Sequence, residues 1–172
     1  MDTRFIVGII GSIVLVVGVV TPVLRWKDLL FTIGNACMFT YALLGYLAGG
    51  PIFFLILQIF IALSTLCMLL HVPDKYDTTI LALAGVGLTA WSLSLFEGYT
   101  TAIFVVGLVL LGIGFALQGG TFKREVALMV GSVVIAAFSY LVKDWIFTGL
   151  NVVFALGSLW NASRMTLRRA GV

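Results

Sequence analysis

Long apolar runs, broken at short intervals by clusters of charge, proline and glycine, set the pattern of this chain. Seven runs stand out, at about 5–24, 29–47, 51–70, 78–95, 99–117, 126–142 and 146–162. At about 1.5 Å per residue, a helix over such a run is long enough to cross about 30 Å of hydrocarbon. The loops between them are short and leave no room for a soluble domain. Pro22 is expected to stop the first helix and Pro51 to open the third, both at boundary positions that proline tolerates.

The third run contains Phe54–Leu66, FLILQIFIALSTL, which recurs as Phe147–Leu159, FTGLNVVFALGSL. A shift of 93 pairs Phe54 with Phe147, Leu57 with Leu150, Gln58 with Asn151 and Thr65 with Ser158. In each copy an amide precedes a small hydroxyl by seven residues. Such residues stand about 20° apart around a helix, so they share a face. The repeat extends to neighbouring runs. A shift of 96 pairs Gly11, Leu15 and Gly18 with Gly107, Leu111 and Gly114, and a shift of 97 pairs Gly34 and Tyr41 with Gly131 and Phe138. A rival match of Lys27–Asn35 to Lys143–Asn151 would pair helix 2 with helix 7 and strand helices 3 to 5, and is set aside.

Three similar shifts in order imply a three-helix unit used twice. An odd-numbered unit would return inverted if joined directly, and the leftover fourth helix restores its orientation. The expected architecture is an all-α membrane protein: seven transmembrane helices in a 3+1+3 arrangement of two parallel three-helix repeats. All of residues 1–172 then form a single transmembrane domain, with repeat one at about 5–70, a linker helix at about 78–95 and repeat two at about 99–162.

Composition strengthens the membrane reading. The 172 residues are 62% hydrophobic and only 10% charged, and mean hydropathy is +1.19, too little charge for the polar shell of a soluble domain. Charge placement gives the topology. With seven spans, Arg25, Lys27, Lys75, Lys123, Arg124, Arg164, Arg168 and Arg169 share one side, and only Arg4 and Lys143 the other. The N-terminus is therefore expected outside and the C-terminus in the cytoplasm, in the inner (plasma) membrane. Trp26, Trp145, Trp160, Tyr46, Tyr76 and Tyr99 fall near the expected interfaces, where amphipathic rings anchor. Asn161-Ala-Ser163 fits a glycosylation sequon but lies on the expected cytoplasmic side.

The candidate chemistry is neutral. Every Asp, Glu, Lys and Arg sits at a run's end or in a loop, which argues against buried proton relays. No nucleophile–base pair can be assembled, so no enzyme activity is expected. Cys37 and Cys67 stand alone and His71 is the only histidine, which leaves no ligand set for a metal and points to no cofactor. Nucleic-acid binding would need more charge on a soluble surface. The expected partners are the lipid bilayer and a small polar solute, with homo-oligomerisation left open. Asn35, Gln58, Ser132 and Asn151 would face a central axis and hydrogen-bond a neutral solute such as a sugar, nucleoside or vitamin. Tyr41, Phe54, Phe147, Thr65 and Ser158 would line the same site. Tyr41 lies about 120° around helix 2 from Asn35, so one of the two is expected to face away. The competing reading is that these polar groups only join helices, at about 1 kcal/mol per contact.

The 3+1+3 pattern resembles the SWEET/PQ-loop superfamily. Within it, the chain is similar to bacterial YgjV-type seven-helix inner-membrane proteins and, more distantly, to PnuC-type vitamin transporters. The likeness rests on Leu30–Gly45 leading into Tyr46-Leu-Ala-Gly-Gly50, on the Leu57-Gln58 pair and on Thr121–Met165. The Pro-Gln dipeptide of PQ-loop proteins is absent: Pro22 stands in one repeat and Gln118 in the other, each without its mate. The resemblance implies facilitated movement of a small polar molecule without a bound cofactor.

Overall fold

The computed structural model describes residues 2–21, 24–118 and 120–169, and among them every regular element is an α-helix. In order these are α1 (Thr3–Val20), α2 (Leu24–Leu47), α3 (Phe53–Leu69), α4 (Asp74–Ser94), α5 (Tyr99–Ala116), α6 (Phe122–Leu141) and α7 (Trp145–Arg169). Pro22, the expected stop of the first helix, lies outside the described residues, as do the side chains of Arg25, Arg168 and Arg169. Among the described residues, four stretches are long and apolar enough to cross a membrane: Trp26–Leu47, Tyr99–Ala116, Phe122–Leu141 and Trp145–Leu167. Thr3–Gly18 and Phe53–Leu69 are apolar but shorter.

Several helices begin before the apolar run that announces them. α2 takes in Trp26, Lys27 and Asp28, α4 starts at Asp74, and α6 starts at Phe122. The apolar run marks the part that avoids water, whereas the helix continues until a capping group ends it. Thr121 caps α6 by accepting from the Arg124 amide at 3.3 Å, and Asp2 caps α1 by accepting from the Arg4 amide at 3.2 Å. In α4, Asp74 and Asp77 occupy the first turn, where the helix dipole favours negative charge.

The chain divides into two compact units, Met1–Pro73 and Asp74–Val172. In the first, α2 packs against both α1 and α3; in the second, α6 packs against both α5 and α7, and α4 lies along α5. The α1–α2 and α5–α6 seams match residue for residue at the shifts read from the sequence. A Cβ on Gly34 would meet the Leu15 side chain at 2.6 Å, and one on Gly131 would meet Leu111 at 2.9 Å. Gly11 lies against Cys37 and Met38, and Gly107 lies against Val134 and Ile135. Gly18 faces Leu30 and Phe31; Gly114 faces Leu128. Gly8 lies against the Tyr41 ring. At the matching place Phe104 and Phe138 stack with centroids 5.1 Å apart. Small residues let two helix backbones approach and gain dispersion contacts where no hydrophobic force acts between helices. The Lys27–Asn35 and Lys143–Asn151 match has no such support. Asp28 sits inside α2, whereas Asp144 precedes α7 and accepts from the Phe147 amide at 3.1 Å.

α2 and α6 end alike. The Gly50 amide returns to the Gly45 carbonyl at 2.9 Å, and the Asp144 amide to the Ser139 carbonyl at 2.9 Å. This closure needs a left-handed residue, supplied by Gly49 (φ 85) in one unit and Lys143 (φ 60) in the other. A left-handed backbone costs a side-chain-bearing residue roughly 1–2 kcal/mol. Lys143→Gly is expected to stabilise the protein by about 1 kcal/mol, read as a raised midpoint in detergent unfolding. An unchanged or lowered midpoint would contradict that account of the turn.

Large apolar side chains are exposed along several helices. Ile13, Leu83, Val86 and Leu156 each show more than half their surface, far more than a water-soluble face tolerates in continuous patches. Trp26, Tyr46, Tyr76, Tyr99 and Trp145 are also exposed and stand within the first or last three residues of their helices. That is where a headgroup layer meets a spanning helix. Trp160 is exposed too, but well inside α7.

Candidate functional site

The nine residues singled out in the sequence fall in both units. Asn35, Tyr41, Phe54, Gln58 and Thr65 belong to the first; Ser132, Phe147, Asn151 and Ser158 belong to the second.

In the first unit, helix geometry divides the polar residues of α2 between two faces. Tyr41 shares the α1-facing side with Gly34 and Met38. It is buried, packs on Gly8, and carries the Arg4 guanidinium 4.9 Å above its ring. Its ring is therefore engaged with α1. Asn35 faces α3, where its Nδ2 donates to Thr65 Oγ1 at 2.7 Å. Thr65 in turn donates to the Ile61 carbonyl at 2.9 Å. The Asn35–Thr65 bond joins two helices and uses the donor and acceptor expected to meet a solute.

Gln58 is different. It is only 2% exposed, and its Oε1 is buried with no hydrogen-bond partner. The register explains why. α2 and α3 are joined by a short turn and run antiparallel, so counting seven residues along each helix from the Asn35–Thr65 bond reaches Ala42 and Gln58. Ala42 is buried and offers only a methyl group. Phe54, one turn before Gln58, is buried as well.

In the second unit the amide equivalent to Gln58 has its nitrogen bonded. Asn151 is buried, and its Nδ2 donates to the Phe147 carbonyl of its own helix at 2.8 Å. Phe147 is buried beneath it, Ser132 is buried on α6, and Ser158 is half-buried on α7. The position matching Ala42 is Ser139, which is fully buried and donates to the Ile135 carbonyl at 2.8 Å. Ser139 was not among the expected residues. It stands seven after Ser132 on one face of α6, the same spacing that drew attention to Gln58 and Thr65 on α3.

A second pairing also escaped the sequence. Glu125, in the first turn of α6, is 8% exposed, and its Oε2 accepts from Asn161 Nδ2 at 3.4 Å. Asn161 entered the sequence reading only as part of a sequon, and no pattern links it to a residue thirty-six positions earlier. Among the described residues no three His, Cys, Asp or Glu side chains gather where they could hold a metal ion. An apolar groove of about 440 Å³ runs between α4 and α5, bounded by Leu81, Gly85, Thr89, Val109, Gly112 and Ala116. None of the nine expected residues lines it, and a polar solute would find little there beyond the Thr89 hydroxyl.

Fold and composition thus define a class, an all-α protein whose four long apolar helices point to membrane association. The chain matches no family model, no curated protein and no solved structure.

Proposed function

We propose that this protein is a small membrane facilitator that moves a neutral polar solute, of the sugar, nucleoside or vitamin class, by alternating access. In this reading all seven helices span the inner (plasma) membrane in a SWEET-like 3+1+3 order, with the N-terminus outside and the C-terminus in the cytoplasm. The protein is not an enzyme and uses no cofactor. The matched α1–α2 and α5–α6 seams support the repeat. The eight-to-two division of basic residues supports the orientation.

One observation carries the transport reading: the buried Gln58 amide with an unpartnered carbonyl. Leaving a buried polar group unpaired costs about 1–3 kcal/mol, so an amide kept in that state calls for a reason. A hydrogen-bonding solute that reaches it supplies one. The Asn35–Thr65 bond favours a second reading, a structural or assembly subunit whose polar residues join helices.

Thermal unfolding in detergent against panels of sugars, nucleosides and vitamins separates the two. A ligand at about 100 times its dissociation constant adds about 2.7 kcal/mol to the folded state. The expected result is a rise of several degrees for one class, lost in Gln58→Leu and kept in Ser163→Ala. If no class shifts the wild-type protein, the subunit reading prevails; if Gln58→Leu responds as wild type does, the solute binds elsewhere and the Gln58 site falls.

A further inference from the structure

The two units differ at one seam. α7 packs along α6 far more extensively than α3 packs along α2, while the α1–α2 and α5–α6 seams are alike. α7 is the longer helix, 25 residues against 17 for α3, and the side chains at matching positions also differ in size. At the matching positions α6 and α7 carry Ser132 and Ser158, whose short side chains let backbones approach. α2 and α3 carry the larger Asn35 and Thr65, and the amide bridges the gap with its 2.7 Å bond. Among the described residues α3 packs on α2 but not on α1, just as α7 packs on α6 but not on α5. α1 and α2, by contrast, interlock through Gly11, Gly18 and Gly34, each close against the opposite helix.

We propose that the Asn35–Thr65 hydrogen bond is a latch that holds α3 against a rigid α1–α2 pair, and that α3 is the moving helix of the first unit. Asn35 and Thr65 are positioning residues. Thr65 and Gln58 share one face of α3, about 20° apart. Closed, the latch keeps that face, with the Gln58 amide, against α2 and Ala42. Opened, it lets the face turn away and frees the amide for a hydrogen-bonding partner. The α2 end itself stays closed by the Gly50 amide on the Gly45 carbonyl at 2.9 Å, so the motion is a turn of α3 beyond that closure. The benefit to a solute rests on the transport reading above, but the motion does not.

Hydrogen–deuterium exchange of the full chain in lipid nanodiscs, followed by mass spectrometry, tests the latch without any solute. In the wild type, Phe53–Leu69 should exchange faster than the first seventeen residues of α7. Asn35→Ala and Thr65→Val should each speed exchange in α3 by about threefold to tenfold, as expected for losing one interhelical bond in a membrane. Exchange in α1 and α2 should not change, and Thr65→Ser, which keeps the hydroxyl, should behave as wild type. Equal protection of α3 and α7 in the wild type would overturn the proposal. So would a variant that leaves α3 unchanged or loosens α1 and α2 equally, because the bond would then be ordinary glue. Gln58→Leu keeps the Asn35–Thr65 bond and removes the unpaired amide, so α3 should exchange no faster than in the wild type, and the latch and the solute reading can fail separately.

Discussion

Gly131→Ala is expected to destabilise the protein by about 2–3 kcal/mol, the upper part of the range for inserting one methyl group into a packed seam. The new Cβ would stand 2.9 Å from the backbone nitrogen of Leu111 and 3.0 Å from its side chain. A side chain can rotate away, but a helix backbone cannot, so α5 and α6 must separate. Contacts along the whole seam would weaken with them. Gly34→Ala should act similarly in the first unit, where the Leu15 side chain at 2.6 Å and its backbone nitrogen at 3.1 Å close the space. Gly149→Ala makes the matched control. Nothing lies within 4 Å of its Cβ position, and Ala is the better helix former by up to about 1 kcal/mol. Reversible unfolding in mixed micelles measures all three. Wild-type stability in Gly131→Ala would show that the α5–α6 seam is not built as described.

Gln58→Leu should have the opposite sign and raise stability by about 1–2 kcal/mol. The substitution keeps side-chain volume nearly constant and removes an amide whose carbonyl is buried without a partner. Gln58→Ala should not help, because its gain from removing the amide is offset by the cavity left between α2 and α3. Asn151→Leu should be close to neutral or slightly harmful, since Asn151 already satisfies its Nδ2 on the Phe147 carbonyl. A stabilised Gln58→Leu protein that no longer responds to ligand would be the signature of a site that sacrifices stability for binding. If Gln58→Leu instead loses more than about 1 kcal/mol, the amide is structural and the site reading falls.

The repeat was legible in the sequence because close helix packing demands particular residue types at fixed spacing. Gly11, Leu15 and Gly18 had to return as Gly107, Leu111 and Gly114 for the same seam to form twice, and the contacts follow those shifts. Helix ends were less legible. At Lys27, Asp74 and Phe122 the chain is already helical although its apolar run starts later, since hydrophobicity reports where water is excluded and not where hydrogen bonding stops. Among the nine candidate residues, spacing put Gln58 and Thr65 on one face of α3. It left open whether Tyr41 or Asn35 faces away, and the structure seats Tyr41 against α1 and Asn35 against α3.

Sequence alone therefore determined the apolar helices, their number and the doubled Phe54–Leu66 segment, because burial, helix period and charge placement act locally along the chain. The state of each polar group was decided only by tertiary structure. Gln58 and Asn151 are equivalent in the repeat, yet one carbonyl is unpartnered and the other amide folds back on its own helix. Asn35 and Ser132 are equivalent too, yet Asn35 carries the longer side chain and bonds across to Thr65 on the neighbouring helix. A hydrogen bond depends on distances of a few tenths of an ångström between separate helices. Periodicity along one helix carries no record of that spacing, so Gln58 could be found by pattern but its open carbonyl could not.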